Sequence, residues 1–146
     1  MKFLAICILT VLLPACTAGP TEVDPFSATE SNNASALRTY LDHSGNPNIR
    51  SARGETLLYV ATGPHGGEAV LRLLLERGAN PNVGVGAYSP LMNASSWCWL
   101  KGVSLLAEGG ADLKAQNENG QTALQTVCSA GRGRDEVVAY LRGRGL

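Results

Sequence analysis

Thr56-Leu57-Leu58-Tyr59-Val60-Ala61, Ser89-Pro90-Leu91-Met92-Asn93-Ala94 and Thr122-Ala123-Leu124-Gln125-Thr126-Val127 align without a gap. Their first residues stand at positions 56, 89 and 122, so the chain repeats itself every 33 residues. Each stretch opens on a hydroxyl residue suited to cap a helix, with proline available at the first turn in one of them, and continues as a short apolar stripe. A second set follows about half a period later: Val70 through Asn80, Val103 through Asp112, and Val137 through Arg142. These also carry an apolar stripe, and the glycines after the first two stand where a helix stops on a left-handed residue. A Gly/Pro/Asn-rich stretch then leads into the next unit. The spacing predicts helix, turn, helix and hairpin-like loop in every unit, stacked so that neighbours bury each other's apolar faces.

Period and pattern together resemble the ankyrin-repeat family. Its Thr-Pro-Leu-His-x-Ala motif is echoed at Ser89-Pro90-Leu91, and its Leu-Leu-Leu-x-x-Gly-Ala-Asp-x-Asn motif at Leu73 through Asn82. The motif proline is Leu57 in one unit and Ala123 in another, and the motif histidine is absent throughout. Upstream, Pro25 to Leu41 looks like an N-terminal capping repeat, with Asn46-Pro47-Asn48 in the place of Asn80-Pro81-Asn82; disorder up to Ser35 is the alternative, favoured by Ser31-Asn32-Asn33. The resemblance implies an all-α solenoid of about four helix-turn-helix repeats over 24–146, divided at about 24–50, 51–83, 84–116 and 117–146. The last is expected to be a cap, because the outer face of a terminal unit meets water.

The N-terminus reads differently. Lys2 precedes an uninterrupted run from Phe3 to Leu13, closed by Pro14-Ala15-Cys16. This is the layout of a signal peptide, and the run is shorter than the ~20 residues a membrane-spanning helix needs. Leu13-Pro14-Ala15-Cys16 resembles the lipobox of bacterial lipoproteins, departing from it at Pro14. That resemblance implies removal of residues 1–15, lipidation of Cys16 and a linker over 16–23; cleavage after Ala15 or Ala18 without lipid is the alternative. Thr17 in place of Asp directly after the cysteine implies export to the outer membrane, facing the periplasm, and a soluble periplasmic or secreted protein is the alternative location.

Lys and Arg number 12 and Asp and Glu 12 in 146 residues, so the charge balance gives no reason to expect nucleic acid as a partner. Aromatics make up only 5% of the chain while 17 residues are glycine, which suits small aliphatic side chains between closely packed helices. Catalysis needs an activated nucleophile, paired acids or a metal in fixed geometry. His43 and His65 sit in no such motif, and His43 is expected at a helix end. No Cys-x-x-Cys pair is present, so a metal site is not expected, nor a cofactor, an enzymatic activity or a small-molecule substrate. Gly84-Val85-Gly86 and Gly131-Arg132-Gly133 lack the strand a phosphate loop requires.

Cys98 and Cys128 remain once Cys7 leaves with the signal and Cys16 is lipidated. They are a candidate disulfide in an oxidising compartment. Packed helix axes lie ~8–10 Å apart and a disulfide needs Cα atoms within ~7 Å, so two buried free thiols are the expected outcome.

Trp97 and Trp99 are expected at the end of one helix, where residues two apart point to different faces. The ankyrin resemblance implies that partners are gripped by hairpin tips and by the exposed end of the first helices. Carried over by position, that surface is Arg50, Arg53, Glu55, Tyr88, Ser96, Trp97, Glu118, Asn119 and Gln121. Tyr88 and Trp97 flanked by arginines have the composition of a binding hot spot. The expected function is thus a lipid-anchored periplasmic scaffold that binds an unidentified protein, with immunity against an envelope-targeted toxin as a special case. The alternative is a structural or assembly component of the envelope.

Overall fold

A computed structural model describes residues 23–131 and 133–146. The expected signal peptide, the expected lipidation site Cys16 and all of the expected linker but Val23 lie outside the described residues. Seven α-helices occur among them: α1 (Pro25–Glu30), α2 (Ala34–Asp42), α3 (Leu57–Ala61), α4 (Glu68–Glu76), α5 (Pro90–Ser96), α6 (Leu100–Glu108) and α7 (Arg134–Gly143). The short helices α1, α3 and α5 pack on one another as an inner layer, while α2, α4, α6 and α7 form an outer one. The fold is the all-α repeat solenoid that the 33-residue period predicts.

Local chemistry explains the starts of α1, α2, α3 and α5, each capped by a side chain. The Asp24 carboxylate accepts from the Phe26 and Ser27 amides at 3.2 and 3.1 Å and caps α1, and Pro25 supplies the first helical residue. Asn33 caps α2 through Ala36, Thr56 caps α3 through Tyr59, and Ser89 caps α5 through Met92. Gly78 and Gly110 take the expected left-handed backbone after α4 and α6, with φ of 81° and 90°. Gly66 answers to crowding: a Cβ there would lie 1.8 Å from the Ala61 carbonyl oxygen, so only glycine lets α4 leave α3 this closely.

The core runs between the layers as a continuous column of Leu37, Leu58, Leu71, Leu74, Leu91, Val103 and Leu106, all but inaccessible to water. Truncating any of these leucines to alanine costs about 2–5 kcal/mol by the usual rule for buried aliphatics. Buried polar bonds lock neighbouring units: the Asn93 side-chain amide donates to the Tyr59 carbonyl (3.2 Å) and to the Thr62 hydroxyl (3.0 Å). An asparagine ladder ties the loops. Asn48 Nδ2 donates to the Gly78 carbonyl at 3.2 Å and its Oδ1 accepts from the Asn80 amide at 2.8 Å. One unit on, Asn82 repeats both bonds with Gly110 and the Asp112 amide, at 3.3 and 2.7 Å. Lys114 takes the next place and has no side-chain amide to carry the ladder further.

The final unit departs from expectation. Thr122 to Val127 forms turns and no helix. One helical turn starts, with the Gln125 and Thr126 amides donating to the Thr122 carbonyl, but it does not propagate. Ala123 is the one fully buried residue of that stretch, so little apolar area holds it, and the chain is pulled toward α5 by the Cys128 amide donating to the Ser95 carbonyl at 3.3 Å. The stack therefore holds three helix pairs and a last unit in which only the outer helix, α7, is formed. Asp42 at the end of α2 pairs with the half-buried Arg77 just after α4 at 2.6 Å, a surface bridge worth at most about 1 kcal/mol.

Candidate functional site

The turn between α5 and α6 concentrates what is unusual. α5 ends at Ser96, one residue before Trp97, and Cys98 then adopts a left-handed backbone with φ of 51°. Trp97 and Trp99 are therefore not two positions of one helix, as the sequence suggested, but flank a reversal. The Trp99 indole folds back over α6, so close to Gly102 that a Cβ there would meet it at 2.2 Å, and packs against the core. Trp97 points out and is 54% exposed, unlike every other large apolar side chain among the described residues.

Cys98 and Cys128 form a disulfide, with Cα atoms 5.7 Å apart. This corrects the expectation of two free thiols. That expectation placed both cysteines inside packed helices; both lie outside helices, Cys98 in the reversal after α5 and Cys128 in the loop that replaces the missing helix, where backbones can approach within bridging distance.

Trp97 stands over a groove of about 250 Å³ that crosses the inner helices and is lined by Glu30, Glu55, Tyr59, Val60, Asn93, His65 and the Gly63-Pro64 turn. Burial chiefly, then negative charge on Tyr88 and Glu55, pushes the Tyr59 hydroxyl above its ordinary pKa. On its other side Trp97 borders a second depression of about 460 Å³ with Gly63, Pro64, Gly66, Cys98 and Trp99. Tyr88 is half-buried in the second hairpin and lines a separate recess of about 180 Å³ with Glu118 and Asn119.

The nine residues expected to form one surface thus divide. Glu55 and Trp97 share the main groove, and Tyr88, Glu118 and Asn119 share the recess between hairpins. Arg50 is exposed, but its guanidinium donates to the Gly54 carbonyl at 2.7 Å and the Gly84 carbonyl at 3.3 Å, so it clamps two hairpins together. Ser96 gives its hydroxyl proton to the Asn93 carbonyl at 2.8 Å, and Gln121 exchanges bonds with Asn117 across the last hairpin. Arg53 is exposed at the first hairpin. Tyr59 and Glu30 escaped the sequence reading. Met92, one period after Tyr59, is fully buried, so the repeat gave no reason to expect Tyr59 at a surface.

His43 caps the end of α2, where its Nδ1 lies 2.7 Å from the Thr39 carbonyl. Among the described residues no group of three or more His, Cys, Asp or Glu is placed to hold a metal, and no helix is long and apolar enough to cross a membrane.

Comparison with known proteins agrees with this architecture. The sequence pattern of ankyrin repeats, in three copies, matches residues 26–117. A Treponema pallidum (strain Nichols) protein described as ankyrin repeat-containing is 34% identical over 82 residues, which cover 52% of this chain and 27% of that protein. The chain thus spans about a quarter of that relative's length. With the 33-residue period, the two helical layers and the matched pattern in agreement, the chain belongs to the ankyrin-repeat family, whose members serve as protein-interaction scaffolds.

Proposed function

We propose that this protein is an exported, lipid-anchored ankyrin scaffold that holds one protein partner in the bacterial envelope against its inner-helix face. The observation that carries the reading is Trp97, more than half exposed at the edge of a groove that crosses three successive inner helices. An exposed tryptophan costs solubility unless something covers it, and tryptophan is among the residues most enriched at binding hot spots. The Cys98–Cys128 disulfide supports an oxidising compartment, since such bonds are rare in reducing cytosol. Together with the apolar run from Phe3 to Leu13 and Cys16 behind it, this favours the outer membrane, with the domain facing the periplasm. Within that role, neutralising a toxin delivered to the envelope is a task that a small, rigid, exported binder suits.

The test is capture from detergent-solubilised envelopes with the full chain as bait. One stoichiometric partner retained by the natural chain and lost on Trp97→Ala supports recognition. Capture that survives both Trp97→Ala and Tyr88→Ala removes the proposed surface, and finding no stoichiometric partner with the natural chain would leave the repeats as an envelope spacer. The anchor is tested separately: Cys16→Ser should abolish fatty-acid labelling, and labelling that persists refutes it.

A further inference from the structure

We infer that the groove beside Trp97 is built for a cationic side chain, so that the protein partner inserts a lysine or arginine between the Glu30 and Glu55 carboxylates and the aromatic faces of Trp97 and Tyr59. This rests on the partner-binding reading above and narrows it to a chemistry. The volume of about 250 Å³ is the first indication. It lies below the ~300 Å³ at which pockets for drug-sized ligands begin, and suits one long side chain delivered by a larger partner.

Charge is the second indication. The described residues make four ion pairs, Arg72–Glu68, Arg77–Asp42, Lys101–Glu68 and Arg134–Asp135, and neither Glu30 nor Glu55 takes part in any of them. Glu55 accepts one bond, from the Ser51 hydroxyl at 3.1 Å. Of the two arginines in that hairpin, Arg50 is spent on the carbonyls of Gly54 and Gly84, and the exposed Arg53 does not line the groove. His65 is the one basic residue in the groove's lining, so Glu30 and Glu55 line it with no permanent positive charge among the lining residues, in a chain whose charges cancel overall.

The aromatic wall is the third indication. Lysine and arginine gain from standing over the face of tryptophan or tyrosine while a carboxylate neutralises them, and their aliphatic stems cover apolar surface on the way in. A neutral apolar side chain would dry the two carboxylates without compensating them, and an acidic one would be repelled.

The full chain, oxidised and isotope-labelled at nitrogen, is titrated with seven-residue Gly/Ser peptides whose central residue is arginine, lysine, norleucine or glutamate. The indole N–H resonance of Trp97 is the readout. Arginine and lysine peptides should shift it saturably, more weakly as salt rises, and Glu30→Gln and Glu55→Gln should each loosen them by about threefold to fivefold while leaving the rest of the spectrum in place. Norleucine binding as tightly as arginine, indifference to both substitutions, or no shift from any peptide overturns the inference. Envelope capture separates the two levels. A partner lost on Trp97→Ala but retained by the Glu30→Gln, Glu55→Gln double variant removes the cationic inference and spares the face, whereas a partner indifferent to Trp97 removes both.

Discussion

Removing the Cys98–Cys128 bridge should destabilise the last unit before anything else. The cysteines stand 30 residues apart, and closing a loop of that size in the unfolded chain removes about 12 cal/mol/K of entropy, or about 3.6 kcal/mol at 25 °C. The unit has little else to rely on. Its fully buried side chains are Ala123, Val137 and Leu141, and burying a valine and a leucine contributes about 1.5–3 kcal/mol each before backbone entropy is set against it. The covalent link is therefore comparable to what the unit's fully buried side chains contribute, with the partly buried Leu124, Val127, Tyr140 and Leu146 adding to the packing side. The assay is urea unfolding of the oxidised chain, the reduced chain and the Cys98→Ser, Cys128→Ser double variant, followed by helix content and by the fluorescence of Trp97 and Trp99 beside the bridge. With a slope of about 1.5 kcal/mol per molar urea, a loss of 3 kcal/mol moves a midpoint by about 2 M. In a repeat stack the loss can surface as an early separate transition of α7. Oxidised and bridge-free chains unfolding along one curve would refute the reasoning, because it would mean that packing alone holds the final unit.

Three further outcomes follow from particular contacts. Asn82→Ala removes two exposed bonds of the ladder, to the Gly110 carbonyl and from the Asp112 amide, and should cost about 0.5–1.5 kcal/mol in urea unfolding; no measurable loss would mean that water replaces the side chain freely. Gly66→Ala forces a Cβ against the Ala61 carbonyl, so its thermal midpoint should fall by more than that of Gly143→Ala, where the new methyl meets nothing. The hydroxyl of Ser27, followed by its backbone amide and that of Phe26, holds the Asp24 carboxyl below its ordinary pKa against a smaller opposing effect of burial. A folded-state pKa lowered in this way gives stability that is present above the unfolded value and lost as pH falls through the folded one. Asp24→Ala should therefore cost about 1 kcal/mol at neutral pH, and the difference should shrink once pH drops below about 4; a pH-independent difference contradicts the cap.

Period, layers and helix starts were legible because they are set locally. A capping hydroxyl at Thr56 or Ser89 and an apolar stripe behind it favour a helix locally, and where neighbouring units bury that stripe the helix forms. The last inner helix was misread because its pattern at Thr122 to Val127 is nearly as good as the others, while only Ala123 of that stretch is fully buried and the bridge at Cys128 holds the chain at the end of α5. The bridge itself escaped for a related reason, since its distance depends on where α5 stops, and the left-handed turn at Cys98 is a single backbone choice that spacing does not reveal. Arg50 looked like a free interface charge because its acceptor on Gly84 lies a full unit downstream. Glu55 and Trp97 do line one groove, but Tyr59 and Glu30, which line it with them, sit at positions that look internal or terminal when read one repeat at a time.

The central claim, that a protein partner rests on the inner-helix face, is tested most directly by light-activated crosslinking in living cells. A photoreactive phenylalanine analogue is placed at Trp97 and, as a control, at the exposed Arg72 on the outer helix α4. One discrete adduct from position 97 and none from position 72 is the predicted result. Equal adducts from both positions, or none from position 97, would contradict it.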